Sequence, residues 1–131
     1  MTSPTPDSPD GLSIGELARR SGLSTHALRF YEQAGVLQPA GRAANGHRRY
    51  GVADLRWLAF VLRLKETGMP LSEIRQYAQW RAQGASTQAQ RLALLQRHRE
   101  RLAERLQVLA RATQALDDKI AIYLRTPDGQ P

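Results

Sequence analysis

Thr25, His26 and Arg29 stand at positions i, i+1 and i+4 at the head of an apolar-periodic stretch, directly behind Ser24. Short polar groups and a guanidinium in that arrangement suit recognition rather than bond making. They can reach base edges and flanking phosphates when the first turn of a helix enters a major groove. Further along, Arg42, His47, Arg48 and Arg49 flank the dipeptide Asn45-Gly46, and Tyr50 closes the run. Catalytic chemistry is hard to assemble beside them. Asp117-Asp118 and Glu100 with Glu104 fall in an arginine-rich helical stretch and read as a solvated charged face. No glycine-rich phosphate loop or nucleophile elbow is present. The chain has no cysteine, which excludes thiolate zinc sites, iron–sulfur clusters and cysteine redox sensing. His26, His47 and His98 are too scattered for a metal cluster. The expectation is therefore a binding protein, not an enzyme, with neither metal nor cofactor.

The elements that must position these groups follow from periodicity and punctuation. Ile14, Leu17 and Ala18 recur at helical spacing, Gly22 sits at a turn, and Ser24 precedes a second periodic stretch through Ala27, Leu28 and Tyr31. This predicts two short helices, the second capped by the Ser24 hydroxyl. The pattern ends after Gly35, and Pro39 confirms the stop. Asn45-Gly46 then signals a hairpin, because both residues tolerate positive φ. A basic hairpin behind a helix-turn-helix reads as a wing; taken alone it would be a solvated basic loop. Val52 to Glu66 returns to helical spacing through Leu55, Leu58, Ala59, Leu62 and Leu64, Gly68 ends it, and Pro70 opens a fourth helix with Ile74, Tyr77 and Ala78 on its apolar face. Trp57, Phe60, Tyr77 and Trp80 gather most of the bulky aromatics here. They either pack the helices together or line an effector pocket, for which Trp57, Tyr77, Trp80 and Tyr123 are the candidates.

The phrases IGELARRSGLSTHALRFYEQAGVL, NGHRRY and LKETGMPLSEI, in this order and spacing, resemble the N-terminal domain of the MerR family of bacterial transcription regulators. The resemblance covers Leu12 to about Tyr77 closely. It implies that Thr25, His26, Arg29 and Tyr31 contact bases and phosphates, that Arg48 and Tyr50 act from the wing beside Arg42, and that Lys65 clamps a phosphate. Phe30 stands where the family often has tyrosine, so a backbone-contacting hydroxyl is missing and Phe30 is left with a packing role. His47 replaces a frequent wing aromatic. The resemblance further implies an antiparallel coiled-coil homodimer on a palindromic promoter site, distortion of the spacer between promoter hexamers, and RNA polymerase as a partner. The cysteine-dependent metal- and stress-sensing branches do not apply to this chain.

With 131 residues and a formal charge of +7, the chain is basic enough for a phosphate-neutralising partner. No apolar run spans a bilayer and no signal-peptide pattern opens the chain, so the expectation is a cytoplasmic protein without a membrane partner. Residues 1–11 and 126–131 read as disordered tails, 12–84 as the winged DNA-binding domain and 85–125 as a coiled-coil helix. That makes a mainly α fold with a small β wing, in a short form without a separate effector domain. In the last helix, Leu95, Leu102, Leu106, Leu109, Leu116 and Ile120 form a three-four seam, extended by Leu92 and Tyr123 and interrupted by Arg99 and Thr113. A second copy would cover it; a hairpin back onto the third and fourth helices is the alternative. The functional alternatives are a constitutive architectural DNA binder without effector, and an interaction protein that recruits a different partner through the coiled coil.

Overall fold

The computed structural model describes residues 11–38, 41–42 and 48–126. The expected hairpin tip at Asn45-Gly46, the residue His47 and the greater part of both expected tails lie outside the described residues.

Helix α1 runs Ile14–Ser21 and helix α2 runs Thr25–Gln33. Both begin as the sequence dictates. Ser13 accepts from the Glu16 N–H and Ser24 accepts from the Ala27 N–H at 3.0 Å, so each helix has one of its orphan donors satisfied by a side chain. Gly22 ends α1 at φ 77, a left-handed conformation that glycine adopts without a Cβ penalty, and its N–H bonds the Ala18 carbonyl. The two helices are thereby held at a three-residue turn.

Strands β1 (Gly41–Arg42) and β2 (Arg48–Arg49) pair antiparallel, with Gly41 opposite Arg49 and Arg42 opposite Arg48. Among the described residues the expected wing amounts to this two-residue ladder. It continues into a bridge between Leu12 and Tyr50, whose backbones exchange hydrogen bonds of 2.7 and 2.8 Å. Gly11 is held against this bridge, where a Cβ would stand 2.6 Å from the Tyr50 carbonyl oxygen at a φ of +69. Gly11 therefore belongs to the folded unit rather than to a tail.

Helix α3 spans Val52–Glu66, and its first turn is tied by Asp54, whose carboxylate accepts from the Gly51 N–H at 2.8 Å. Helix α4 spans Leu71–Gln83 with Pro70 as its N-cap, where no N–H is needed. The most deeply buried part of the core comprises Leu12, Leu17, Leu28, Leu37, Tyr50, Leu58, Val61 and Ile74, each at most 2% exposed. Each fully buried aliphatic side chain contributes about 1.5–3 kcal/mol.

A 3-10 turn, Gly84–Thr87, leads into α5, Gln88–Arg125, a continuous helix of 38 residues and about 57 Å. The chain divides into two compact units between Leu92 and Ala93. The Thr87 hydroxyl donates back to carbonyls of Trp80 and Gly84, and the Arg91 guanidinium bonds both Thr87 Oγ1 and the Gly84 carbonyl, so the first turn of α5 is fastened to the end of α4. In the second unit Leu94 and His98 are buried, while Leu106, Leu109, Leu116 and Ile120 are 54–64% exposed.

Candidate nucleic-acid interface

The N-terminal turn of α2 presents Thr25, His26 and Arg29 to solvent, with exposed Ser24 at its head. Their spacing places them along one exposed edge of the helix, while Leu28 and Tyr31 turn into the core. The unpaired N–H groups and positive dipole end of such a turn also favour phosphate.

Tyr31 differs from its expected role. Its side chain is 4% exposed, so it packs the core and cannot serve as a surface contact, and its carbonyl accepts from the N–H groups of Val36 and Leu37 to close the end of α2. Phe30 is the exposed aromatic of this helix, 50% accessible and edge-on to Tyr31. The two roles expected from the sequence are exchanged: Tyr31 packs and Phe30 faces out.

Tyr50 is likewise corrected from contact to core. It is fully buried, and its hydroxyl donates to Oε1 of Glu32 on α2. Of the expected wing contacts, Arg42 and Arg48 have backbones in the ladder, but their side chains lie outside the described residues. Arg49, which the sequence reading left as flanking charge, is half-buried beside Tyr50.

Lys65 is exposed in the last turn of α3, where a cation also complements the helix dipole. Its neighbour Arg63 pairs with Glu66 at 3.3 Å, and Lys65 makes no ion pair among the described residues. On α1, Glu16 is buried to 6% and holds Arg19 at 2.9 Å and Arg20 at 3.7 Å, which restrains two cations on the surface of the same unit.

The aromatic candidates separate. Trp57 and Tyr77 stack at 5.7 Å with 10° between ring planes, Phe60 completes the cluster, and the Arg81 guanidinium lies 4.4 Å over the Trp57 ring. The Trp57 indole N–H donates to the Val36 carbonyl at 2.7 Å, anchoring α3 to the segment behind α2. Trp80 is half-buried and lines no part of the pocket beside Trp57 and Tyr77; Tyr123, near the end of α5, is 46% exposed. Close by, burial raises the Asp54 carboxyl above its usual value near 3.8, against the lowering effects of the Gly51 N–H and the Arg81 charge.

A capped helix-turn-helix with an exposed polar first turn, followed by a short ladder and a second helix pair, agrees with a family match to "MerR HTH family regulatory protein" over residues 12–80. The chain belongs to the MerR family. A second match, described as "MerR, DNA binding", covers residues 55–119. An uncharacterized HTH-type transcriptional regulator of Haemophilus influenzae is 35% identical over 111 residues, covering 85% of this chain and 82% of that protein. Among solved structures, HiNmlR, a MerR family regulator lacking the sensor domain and bound to promoter DNA, is 32% identical with a TM-score of 0.76, covering 88% of this chain and 92% of its own. A MerR family transcriptional regulator from Bacillus thuringiensis is 30% identical with a TM-score of 0.71, covering 85% and 97% respectively. This MerR family member is a DNA-binding transcriptional regulator and not an enzyme. No helix among its described residues is long and apolar enough to cross a membrane.

Proposed function

We propose that this MerR family chain acts in the cytoplasm as a homodimer on a palindromic promoter site, controlling RNA polymerase by distorting the spacer between the promoter hexamers. Thr25, His26 and Arg29 read the major groove, Arg42 and Arg48 act from the wing, and Lys65 holds a phosphate. The observation that carries this reading is the exposed, side-chain-capped first turn of α2. HiNmlR, similar over most of its length, was solved on promoter DNA, which supports the same partner here.

The apolar stripe on α5 supports the dimer. Leu106, Leu109, Leu116 and Ile120 share one three-four seam and are more than half exposed, an arrangement that a partner helix would desolvate. Leu95 and Leu102, half-buried, extend the seam toward the start of the helix. Thr113 lies within it, and its hydroxyl already donates to the Leu109 carbonyl at 2.9 Å, so it can enter an interface without an orphan donor. The helices run antiparallel, placing the two readers on the two half-sites.

With ~10 base pairs per turn, each extra spacer pair rotates one hexamer by about 35° relative to the other. Bending and untwisting the centre of the site restores alignment, at a deformation cost met by the protein contacts. A small effector biases the dimer toward the distorting conformation. Footprinting on genomic fragments tests the reading: a protected palindrome inside an overlong promoter spacer supports it. Weak, unselective and strongly salt-dependent binding would favour a constitutive architectural protein instead.

A further inference from the structure

One face of α3 and one face of α4 converge on an open surface cleft of about 400 Å³ whose lining pairs aromatic rings with cations. Arg56, Trp57 and Phe60 fall at i, i+1 and i+4 on α3, Tyr77 and Arg81 at i and i+4 on α4, and Arg91 comes from the first turn of α5. The three rings lie within 5.7–6.3 Å of one another, centroid to centroid. None of the three arginines makes an ion pair among the described residues, although the Arg81 charge is felt by the Asp54 carboxyl. Arg91 is held by Thr87 and Gly84, Arg81 by the Trp57 face, and Arg56 is exposed. Three guanidinium groups around one opening repel each other and are stabilised together by an anion. A flat apolar wall beside them favours a ring over a bare ion.

We infer that this pocket binds a small planar anion, an aromatic carboxylate in chemical class, with its carboxylate toward Arg56 and Arg81 and its ring against Phe60 and Tyr77. The inference rests on the effector reading above and gives that effector a site and a charge. It places the ligand between α3, α4 and the start of α5. The Thr87–Arg91 bonds that fasten α5 to α4 pass along one edge of the pocket, so occupancy can bear on how α5 is held.

The test uses the full-length chain and benzoate as probe, followed through the indole N–H resonances of the two tryptophans, with Trp80→Phe assigning the Trp57 signal. Benzoate should shift the Trp57 signal saturably, with a Kd at or below about 1 mM, the weak end of specific small-ligand affinity. Benzyl alcohol, lacking the charge, should bind at least about tenfold more weakly, as should benzoate to Arg56→Gln, since each change removes a charge-assisted contact. Inorganic phosphate, lacking the ring, should also bind at least about tenfold more weakly because it loses the contact with Phe60 and Tyr77. Arg56→Gln should keep the thermal unfolding midpoint of the parent because Arg56 is exposed and unpaired. No saturable shift up to about 10 mM benzoate, or equal binding of phosphate and benzoate, overturns the site. Binding to a target promoter fragment, measured with and without benzoate, separates the two claims. Saturable benzoate binding that leaves DNA affinity and footprint unchanged keeps the site and refutes its role as effector pocket.

Discussion

Tyr50, directly after β2, donates its hydroxyl hydrogen to Glu32 on α2, eighteen residues earlier in the chain. The same residue bridges Leu12 through both backbone groups, so one buried tyrosine joins the start of the folded chain, α2 and the β1–β2 ladder. Tyr50→Phe keeps the ring and removes the donor to the Glu32 carboxylate, a charge-assisted hydrogen bond in a part-buried site. Unfolding by urea should show a loss of about 1–3 kcal/mol. DNA affinity measured well below the unfolding transition should also fall if this bond helps to position α2 against the β1–β2 ladder. An unchanged midpoint and affinity would mean that the bond does not position them.

The exchange of roles between Phe30 and Tyr31 gives opposite outcomes for adjacent substitutions. Tyr31→Ala removes a buried aromatic and should destabilise the fold by about 3–5 kcal/mol. Arg29→Ala and Phe30→Ala alter exposed side chains and should leave stability within about 0.5 kcal/mol. Arg29→Ala should nevertheless lower affinity for the specific site about tenfold or more, the scale of a lost base contact. Gel-shift titrations paired with thermal denaturation of the three variants separate packing from recognition.

Phosphate contacts have their own signature. Lys65→Ala should weaken binding to specific and unrelated fragments alike and reduce the slope of log K against log salt by about one. Arg125→Ala, at the far end of α5, should leave that slope unchanged.

These contrasts show where the sequence was legible. Helix ends were readable because the signals are local: Ser13 and Ser24 accept from the third residue of their helices, Gly22 turns left-handed, and Val52 to Glu66 forms one helix as its spacing predicted. The burial of Tyr31 and Tyr50 was not readable, because an aromatic ring with a polar tip suits both a surface contact and a satisfied core position. The partner that decides for Tyr50, Glu32, is remote in sequence. Trp57 and Tyr77 were singled out together, yet the arginines that give their pocket its charge come from three helices and share no sequence period. Thr87 and Arg91 bind backward to the carbonyls of Trp80 and Gly84, ties that periodicity cannot reveal.

If the seam on α5 holds the proposed dimer together, charge placed in it should break that dimer without unfolding the N-terminal unit. Leu109→Asp with Leu116→Asp should convert a dimer to a monomer in sedimentation equilibrium. Helical signal from α5 should fall as well, since a lone helix with an exposed leucine stripe loses its tertiary support. A double variant that stays dimeric would place the interface elsewhere.

Asp54 predicts an unusual pH dependence. Its carboxyl binds a proton more tightly in the folded chain than in the unfolded one, because burial outweighs the Gly51 bond and the Arg81 charge. Its contribution favours the folded state below the ordinary value near 3.8 and is lost as pH rises through the higher folded-state value. The stability of the parent relative to Asp54→Asn should therefore increase as pH falls from about 7 to about 4. A relative stability that decreases over that range would show the Gly51 bond and Arg81 to be the stronger influences.

Footprinting of the purified chain on its tightest genomic fragment, at physiological salt, tests the central claim most directly. The account predicts a protected palindrome lying inside a promoter spacer that is too long, with enhanced cleavage at its centre where the DNA is bent and untwisted. Protection of a site outside any promoter spacer, or of no particular sequence, would contradict it.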